Sequence, residues 1–304
     1  MDRFAAMTTL LAAVDGGSLS AASRKLGMPL PTVSRKISEL ETHLRTRLIH
    51  RTSRRLSLTD AGQAYVAASR RILEDLGETE RAAAGEYSAP RGDLAMTAPI
   101  VFGRLHVLPI AIAFLQAYPD INVRIALGDR VVDLQEEHVD LAVRIGDLPD
   151  SSLVATRVGV VSRVVCGSPG YFETRSVPKS PADLRGHDCI SFEGMNAPDR
   201  WIFAAGKSQV SVPVRSRLIV NTAEAALDAA IAGLGVTRVL SYQAANALRA
   251  GSLVRVLRRF EPAPVPVSLV HAGQGRLPLK LRAFMDFAAS RLKARLAQDW
   301  GMDS

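Results

Sequence analysis

The stretch from Ser18 to Leu58 decides the fold of the first part of the chain. It runs SLSAASRKLGMPLPTVSRKISELETHLRTRLIHRTSRRLSL. Its first segment, Ser18–Leu26, has apolar residues on one helical face and serines at its start that suit a helix N-cap. Gly27 can adopt the left-handed conformation that ends a helix, and Pro29 blocks continuation. The pattern predicts a short helix followed by a turn.

A second helix is predicted to begin at Pro31, since proline is tolerated in the first helical turn. The apolar residues of this helix fall on one side: Val33, Ile37, Leu40 and Leu44. The opposite face is small, polar and basic, and Arg35 on it can donate two hydrogen bonds to a guanine edge. Together the two helices predict a helix-turn-helix whose second helix binds in the DNA major groove. A helical hairpin with a solvated basic surface is the alternative.

A basic segment follows the second helix. Five arginines and no acid lie between Arg45 and Arg55, inclusive. Leu48-Ile49 and Leu56–Leu58 are short strand-like pieces, and the residues between them favour a turn. The pattern predicts a small β-hairpin, or wing, whose tip carries Arg54 and its neighbour towards DNA phosphates or the minor groove.

The positive charge of the chain is concentrated near its beginning. The 304 residues have a formal net charge of +8, and residues 1–60 hold ten Lys or Arg against five Asp or Glu, a net of +5. A localised basic excess favours a polyanionic partner. The length allows two or three domains, and 47% hydrophobic with 22% charged residues is typical of a globular protein.

Other features argue against secretion and catalysis. Cys166 and Cys189 have no metal-type spacing, which favours a reducing cytoplasm. Thr8, Thr9 and Asp15 interrupt the apolar start, so we expect neither a signal peptide nor a membrane span. The histidines lack ligand-like spacing and are expected at the surface or in caps: His43, His50, His106, His138, His187 and His271. With no catalytic motif in a recognisable frame, we expect no enzyme, no metal and no cofactor.

Two more helices flank the DNA-binding pattern. Phe4–Val14 has helical apolar spacing, ends at Gly16-Gly17 and should pack on the two helices above. A long helix is predicted from Thr59-Asp60, and a hinge at Tyr87–Gly92. The long helix has a narrow apolar stripe: Tyr65, Ala68, Ile72, Leu76, Thr79 and Ala83. This stripe favours pairing with a second copy, since two-fold DNA sites need two recognition helices; packing on its own domain is the alternative.

Beyond the hinge, strand and helix patterns alternate. Strands are expected at Leu94–Ala98, Asn122–Leu127, Asp140–Ile145, Val158–Gly167, Cys189–Phe192, Trp201–Phe203, Ser211–Val220, Gly235–Leu240, Leu253–Val256 and Pro266–Val270. Helices are expected at Pro99–Tyr118, Asp133–His138, after Ser168, at Pro181–Leu184, Thr222–Ala232, Ser241–Arg249 and Leu277–Leu296. The alternation predicts a parallel sheet with helices on both faces.

The run from Ser18 to Gly62 resembles the N-terminal domain of LysR-type transcriptional regulators. The remainder is similar to the effector-binding domain of that family at Pro119–Ile121, Asp140–Arg144 and Gly233–Val236. The resemblance covers nearly the whole chain. It implies an α-helical winged helix-turn-helix domain at residues 1–59, a dimerising linker helix and hinge at 60–89, and an α/β effector-binding domain at 90–304. The last would have two subdomains like those of periplasmic binding proteins.

The resemblance also implies subdomain bounds and partners. Chain crossings near Gly159–Ser162 and Pro264–Pro266 would place residues 92–160 and 266–298 in subdomain I and residues 161–265 in subdomain II. Members usually assemble as tetramers from two kinds of dimer contact. The expected partners are double-stranded promoter DNA, a small-molecule effector, further copies of the chain as a homodimer or homotetramer, and RNA polymerase, without a membrane.

Carried over position by position, the resemblance assigns DNA contacts to the recognition helix and the wing. The candidate DNA-binding residues are Ser20, Leu30, Pro31, Thr32, Ser34, Arg35, Lys36, Arg51, Arg54 and Arg55. Leu30 departs from the family, in which a polar residue, often glutamine, commonly precedes the proline. Leu30 cannot hydrogen-bond a base, although it can contact a thymine methyl.

Ligands of two-lobed folds bind in the crevice at the carboxyl ends of strands. The candidate effector-binding residues are Thr97, Ala98, Pro99, Ile100, Val101, Arg144, Ile145, Gly146, Phe192, Thr222 and Ala223. Backbone N–H groups of Ile100, Val101 and Ala223, with the two threonine hydroxyls, favour an anion, so a small carboxylate with an apolar portion is the expected effector. Helix capping by the threonines and a structural ion pair for the arginine are the alternatives.

The sequence therefore predicts a cytoplasmic transcriptional regulator that binds specific DNA sequences under the control of a small organic anion. Three other functions fit parts of the pattern. The first is a sequence-tolerant DNA-binding protein whose C-terminal domain serves only for assembly. The others are a solute-binding protein and an enzyme fused to a DNA-binding domain.

Overall fold

The computed structural model describes residues 1–51, 56–83, 89–148, 152–192, 199–206, 208–273 and 277–301. Its contacts divide the chain into two compact units, residues 1–89 and residues 90–304. The elements of the first unit are α1 (Arg3–Asp15), α2 (Leu19–Leu26), α3 (Leu30–Leu44), β1 (Ile49–Arg51), β2 (Leu56–Leu58) and α4 (Asp60–Ala83).

The helix-turn-helix and the hairpin form as predicted. Ser18 caps α2 by accepting a hydrogen bond from the N–H of Ala21, and Gly27 ends α2 with a φ of 62°. α3 begins at Leu30, one residue earlier than predicted, because Pro29 is its extended N-cap. β1 and β2 pair antiparallel, and the predicted turn between them lies outside the described residues.

The apolar faces of the first unit meet in one core. Its buried residues are Ala6, Leu10, Ala12, Ala13, Ala22, Val33, Ile37, Leu40, Leu48, Ile49 and Val66. Tyr65, from the predicted stripe of α4, packs against this core, whereas Ile72 on the same stripe is exposed. The start of α4 therefore packs on its own unit, and its middle offers an apolar residue to solvent.

The second unit alternates strands and helices. In chain order they are β3 (Gly92–Ala98), α5 (Ile100–Phe102), a π-helical turn (Gly103–Val107), α6 (Leu108–Ala117), β4 (Ile121–Leu127), β5 (Leu141–Ile145), β6 (Val154–Val161), β7 (Arg163–Gly167), α7 (Pro169–Thr174), a 3-10 helix (Pro181–Gly186), β8 (Cys189–Phe192), β9 (Arg200–Ala205), β10 (Ser208–Pro213), β11 (Ser216–Val220), α8 (Ala223–Ile231), β12 (Val236–Leu240), α9 (Ser241–Arg249), β13 (Val254–Val256), a 3-10 turn (Arg258–Phe260), β14 (Val265–His271) and α10 (Leu279–Gly301).

Two five-stranded sheets define the two subdomains of this unit. Subdomain I has the order β4-β3-β5-β14-β6, and subdomain II has the order β11-β8-β12-β7-β13. In subdomain I, the core packs apolar side chains of α6 and α10 on one face of the sheet, including Phe114 and Phe284. In subdomain II, α8 covers one face, and the hairpin of β9 and β10, with Trp201 and Phe203, covers the other.

The prediction of a parallel sheet is wrong, because both sheets are mixed. β3 is parallel to β4 and β5, and β8 is parallel to β11 and β12. β14 and β7 instead run antiparallel to their neighbours. The chain passes from the sheet of subdomain I to that of subdomain II after β6, and it returns before β14. The first strand after each crossing, β7 or β14, therefore runs opposite to its neighbours.

Two predicted strands are each divided in two. Val158–Gly167 is split at Ser162, where the chain passes from β6 of one sheet to β7 of the other. Ser162 exchanges hydrogen bonds with Ser241, whose N–H donates to the Ser162 carbonyl at 2.8 Å. Ser211–Val220 is split because β10 pairs with β9 in a separate hairpin, whereas β11 joins the five-stranded sheet.

The helix predicted at Asp133–His138 is only a helical turn. The Asp133 carboxylate accepts the N–H groups of Gln135 and Glu136 at 2.8 and 3.0 Å. His138 then adopts a positive φ of 56°, which stops the helix from continuing.

The expectation of surface or capping histidines is wrong for half of them. His106, His187 and His271 are 7%, 8% and 3% exposed. Among the described residues, no group of three potential ligands is placed to hold a metal ion. In the same described part, the helical stretch Ile100–Ala117 has the length and hydropathy of a membrane span. Its side chains Phe102 and Phe114 nevertheless pack in the core of subdomain I, as those of a core helix do.

Candidate nucleic-acid interface and effector cleft

The recognition helix α3 has one buried face and one open face. Val33, Ile37 and Leu40 are fully buried. Opposite them, the side chain of Arg35 is 71% exposed, and its Nε lies 3.8 Å from Glu39 in a solvent-exposed ion pair. Such a pair is weak enough to yield to a DNA contact.

The remaining candidate contacts of α2 and α3 are exposed to different degrees. Pro31 is exposed, and Thr32, Ser34 and Lys36 are half-exposed. Ser20 is exposed in the first turn of α2, and Leu30 is 43% exposed. All six residues are therefore at least partly accessible to solvent.

The loop after α3 is anchored to that helix. The Glu41 carboxylate accepts the N–H groups of Leu48 and Ile49 at 2.8 and 3.2 Å. Arg45 ends α3 in the left-handed conformation, with a φ of 51°. The base of the wing is thus fixed relative to the recognition helix. Of the wing candidates, Arg51 lies in β1 with a side chain that is not described, and Arg54 and Arg55 lie outside the described residues.

Gly62 allows α4 to approach the wing closely. A Cβ at this position would lie 1.9 Å from the carbonyl oxygen of Leu48. Thr59, just before α4, donates its hydroxyl to the Arg47 carbonyl at 2.7 Å and accepts the N–H of Gly62. The start of the linker helix and the start of the wing are therefore held together.

In the predicted effector cleft, several of the expected donors are already engaged. The N–H of Ile100 donates to the Asp129 carboxylate at 3.1 Å, and the Thr97 hydroxyl donates to the Ala126 carbonyl at 3.0 Å. Thr222 caps α8 by accepting the N–H of Ala225. The capping alternative thus holds for Thr222, whereas Thr97 is bonded across the sheet.

Among the residues that the structure describes, the arginine expected in the cleft forms no ion pair, which was its alternative role. Within the described residues, Arg144 donates from Nη2 to the carbonyl of Val132 at 2.8 Å. Burial lowers the pKa of Arg144. Desolvation accounts for the direction, because it disfavours the charged form.

Several other cleft candidates are core residues. Ala98, Val101, Phe192 and Ala223 are buried, at 2%, 5%, 8% and 2% exposure. Phe192 and Ala223 pack together in subdomain II. The exposed part of the predicted wall is therefore limited to Pro99, Ile100, Arg144, Ile145, Gly146 and Thr222, each of which is half-exposed.

Two contacts that the sequence did not predict join the subdomains. Arg104, in the π-helical turn, forms an ion pair with Glu224 at the start of α8, with 2.6 Å between Nη2 and Oε1. Tyr242 on α9 packs edge-on against Phe102 and His106, with ring centroids 5.3 and 5.5 Å away. No local pattern signals these pairs, because their members are far apart in the chain.

Subdomain II also contains a cavity of about 360 Å³ that none of the predicted effector residues lines. It lies beside α9, next to Ser241 at the crossing between the sheets, and Arg249, Arg255 and Arg258 contribute to its wall. Glu261 pairs with the buried Arg255 through two hydrogen bonds. Its charge neutralises that arginine within the wall.

Comparisons with known proteins agree with this architecture. The family model for bacterial regulatory helix-turn-helix proteins of the lysR family matches residues 4–63, and that for the LysR substrate binding domain matches residues 88–293. An HTH-type transcriptional regulator of Xanthomonas campestris pv. campestris is 36% identical over 92% of this chain and 82% of its own length. An HTH-type transcriptional repressor of Pseudomonas aeruginosa is 32% identical over 94% of this chain and 91% of its own.

A solved structure gives the same result for the whole fold. CrgA, a LysR-type transcriptional regulator from Neisseria meningitidis, matches with a TM-score of 0.61 and 27% identity, over 94% of this chain and 98% of CrgA. The proteins of this family are transcriptional regulators rather than enzymes, and they bind DNA and small-molecule effectors as oligomers. The chain therefore belongs to the LysR family of helix-turn-helix transcriptional regulators, with an N-terminal DNA-binding domain and a C-terminal effector-binding domain.

Proposed function

We propose that this regulator recognises its promoter through the outer face of α3, with the wing arginines on the phosphates. The observation that supports this assignment is the open position of Arg35 above a fully buried apolar stripe. Arg35 would then specify bases, whereas Arg51, Arg54 and Arg55 would supply charge.

We further propose that the effector is a small organic anion bound between the subdomains. This proposal is supported by the hydrogen bond that the N–H of Ile100 donates to the carboxylate of Asp129. This N–H begins a helical stretch that extends to Ala117, and such positions favour negative charge. An effector carboxylate would compete with Asp129 for this donor, with the first-turn N–H groups of Val101 and Ala223 as further partners.

The chain is proposed to act in the cytoplasm as a homo-oligomer, a homodimer or homotetramer, and to contact RNA polymerase at the promoter. Exposed apolar side chains on two edge strands and two neighbouring helices support self-association. They are Leu108 and Ile112 on α6, Leu127 on β4, Ile219 on β11 and Ile231 on α8. Ile72 on α4 offers a further contact.

Footprinting on the DNA that flanks the coding sequence tests the proposal. We expect protection of an imperfect inverted repeat, and a change in its extent or affinity with one member of a panel of small organic acids. Equal, salt-sensitive binding to every duplex would instead support the sequence-tolerant alternative. A footprint that no organic acid alters would contradict the anionic effector while leaving the DNA assignment intact.

A further inference from the structure

Two arginines of subdomain II are neighbours in the sheet without a carboxylate between them. Arg163 is the first residue of β7, and Arg238 of β12 pairs with Val165 on that strand. Residues two apart on a strand share a face, so Arg163 lies on the same face as Val165 and its partner Arg238. Arg163 and Arg238 are therefore diagonal neighbours, whose Cα atoms are expected to lie about 7–8 Å apart. Neither forms a salt bridge within the described residues.

Arg238 is buried against a tryptophan. It is 7% exposed, and its guanidinium carbon lies 5.7 Å from the centre of the Trp201 ring. One of its nitrogens, Nη1, donates to the Ile202 carbonyl at 3.1 Å. Among the described residues, neither Nε of Arg238 nor Nε1 of the fully buried Trp201 has a hydrogen-bond partner. Buried donors without acceptors are rare and unfavourable.

Burial disfavours both positive charges at this place. Burial, and after it the charge of Arg163, lowers the pKa of Arg238 to about 10. Burial lowers the pKa of Arg163 as well, and the charge of Asp147 opposes that change. Two adjacent cations in a desolvated place repel each other, and a bound anion would remove both the repulsion and the unsatisfied donors.

We propose that Arg163, Arg238 and the indole N–H of Trp201 form a binding site for an oxyanion, the carboxylate or phosphate group of a small molecule. Arg238 Nε and Trp201 Nε1 would each donate a hydrogen bond to it. Arg163 is half-exposed at the start of β7, so an anion would reach the site from solvent past this side chain. None of the three is among the residues predicted for the cleft. The inference rests on the proposed control by a small organic anion and gives that anion a second binding site, apart from the donors of the cleft.

Asp147 of the other subdomain influences this site through its charge. It follows β5 in subdomain I, and its charge acts on Arg163 of subdomain II. A bound oxyanion would compete with Asp147 for Arg163. Occupancy of the site would thereby weaken one attraction between the subdomains, as an effector must if it favours a different arrangement of them.

Tryptophan fluorescence tests the site directly. The chain has two tryptophans, so Trp300→Phe in the full-length protein leaves Trp201 as the sole reporter. We expect succinate or inorganic phosphate, titrated at constant ionic strength, to shift its emission saturably, and chloride not to do so. A stronger response to succinate would indicate a carboxylate ligand, and a stronger response to phosphate would indicate a phosphate ligand. Absence of a saturable shift with both anions would overturn the proposal.

Three variants separate this site from the arginine-lined cavity beside α9. Arg163→Gln should weaken the apparent affinity about tenfold, as expected for one charge-assisted contact. Arg238→Lys, which keeps a charge but loses the Nε donor, should also weaken the response. Arg258→Gln should leave it unchanged. Loss of the response in Arg258→Gln but not in Arg163→Gln would refute the assignment, whereas failure of the footprint would refute only the proposed function.

Discussion

The two units of the chain organise their candidate contacts in opposite ways. In the first, contact residues are close in sequence and point outwards from a small core, as Arg35 does on α3. In the second, groups such as Arg238 and Trp201 come from separate strands and lie inside the protein. A surface that binds DNA can therefore be recognised from local periodicity, whereas a site for a small molecule depends on how distant strands pair.

Two glycines give the largest expected effects and separate the units. A Cβ at Gly62 would lie 1.9 Å from the carbonyl oxygen of Leu48, and one at Gly235 would lie 2.1 Å from that of Asp188. Backbone must move in both cases, so Gly62→Ala and Gly235→Ala should each lower the free energy of unfolding by about 3 kcal/mol or more. The gain in helix propensity at Gly62, about 1 kcal/mol, does not offset this.

Urea denaturation checks this prediction unit by unit. Both tryptophans lie in the second unit, so their emission should report Gly235→Ala and not Gly62→Ala, whose effect should appear in helical circular dichroism and in DNA binding. Gly170→Ala is the matched control, because a Cβ there would meet nothing within 4 Å. If the tryptophan-detected midpoint fell equally in both variants, the units would not be independent.

Within the first unit, Arg35→Ala and Arg54→Ala should differ in kind. Loss of Arg35 should cost about 1–3 kcal/mol on the best sequence and relax base choice at one position, if its contact is bidentate. Loss of Arg54 should weaken binding to all sequences and reduce the salt slope by about one. Electrophoretic mobility shifts over a salt series, on matched and mismatched duplexes, measure both. Identical behaviour of the two variants would show that base and phosphate contacts have been misassigned.

The sequence predicted the first unit well because its signals are local. Ser18, Gly27 and Pro29 mark helix ends by their own backbone chemistry. The spacing of Val33, Ile37 and Leu40 places the core of α3, and so also places Arg35 outside it. Local patterns do not predict that Glu41 anchors the wing, because its partner Leu48 lies seven residues further along the chain.

In the second unit, local patterns predicted most helices and strands but not how the strands pair. A strand such as β14 reads the same whether it runs parallel or antiparallel, so the mixed sheets were missed. The candidate cleft was partly mispredicted for the same reason. Thr97 was predicted to face a ligand, but the neighbouring strand β4 supplies the Ala126 carbonyl that its hydroxyl binds. Asp129, Arg104 and Tyr242 matter only through partners distant in sequence.

Acidification should distinguish the units, because the second buries histidines. Burial lowers the pKa of His187 and His271 below the ordinary value of 6.5. For His187, Arg175 adds to the lowering, and Asp183 and Asp188 oppose it. Since the unfolded chain then binds protons at a higher pH than the folded one, stability is fully present above about pH 6.5 and falls as the pH drops towards the folded-state pKa values.

Tryptophan-detected urea midpoints measured between about pH 7 and pH 5 check this direction. The fall should be smaller in the double variant His187→Gln and His271→Gln. It should persist in His50→Gln, which alters an exposed histidine of the first unit. A rise in midpoint on acidification would mean that these imidazoles gain a proton on folding, contrary to their burial.

The smallest expected effect concerns the cysteines. Cys166 and Cys189 are fully buried, and burial raises the pKa of each thiol to about 12. They pack in cores on opposite faces of the sheet of subdomain II, so they cannot form a disulfide without unfolding. Because the thiolate is the reactive form, a disulfide reagent at neutral pH should label neither in the native protein and both in urea.

Ser20→Cys, at an exposed position of α2, is the control and should react at once. Labelling of the natural cysteines at a comparable rate would show that the interior of the second unit opens readily. The contrast between an outward-facing first unit and a closed second one would then fail.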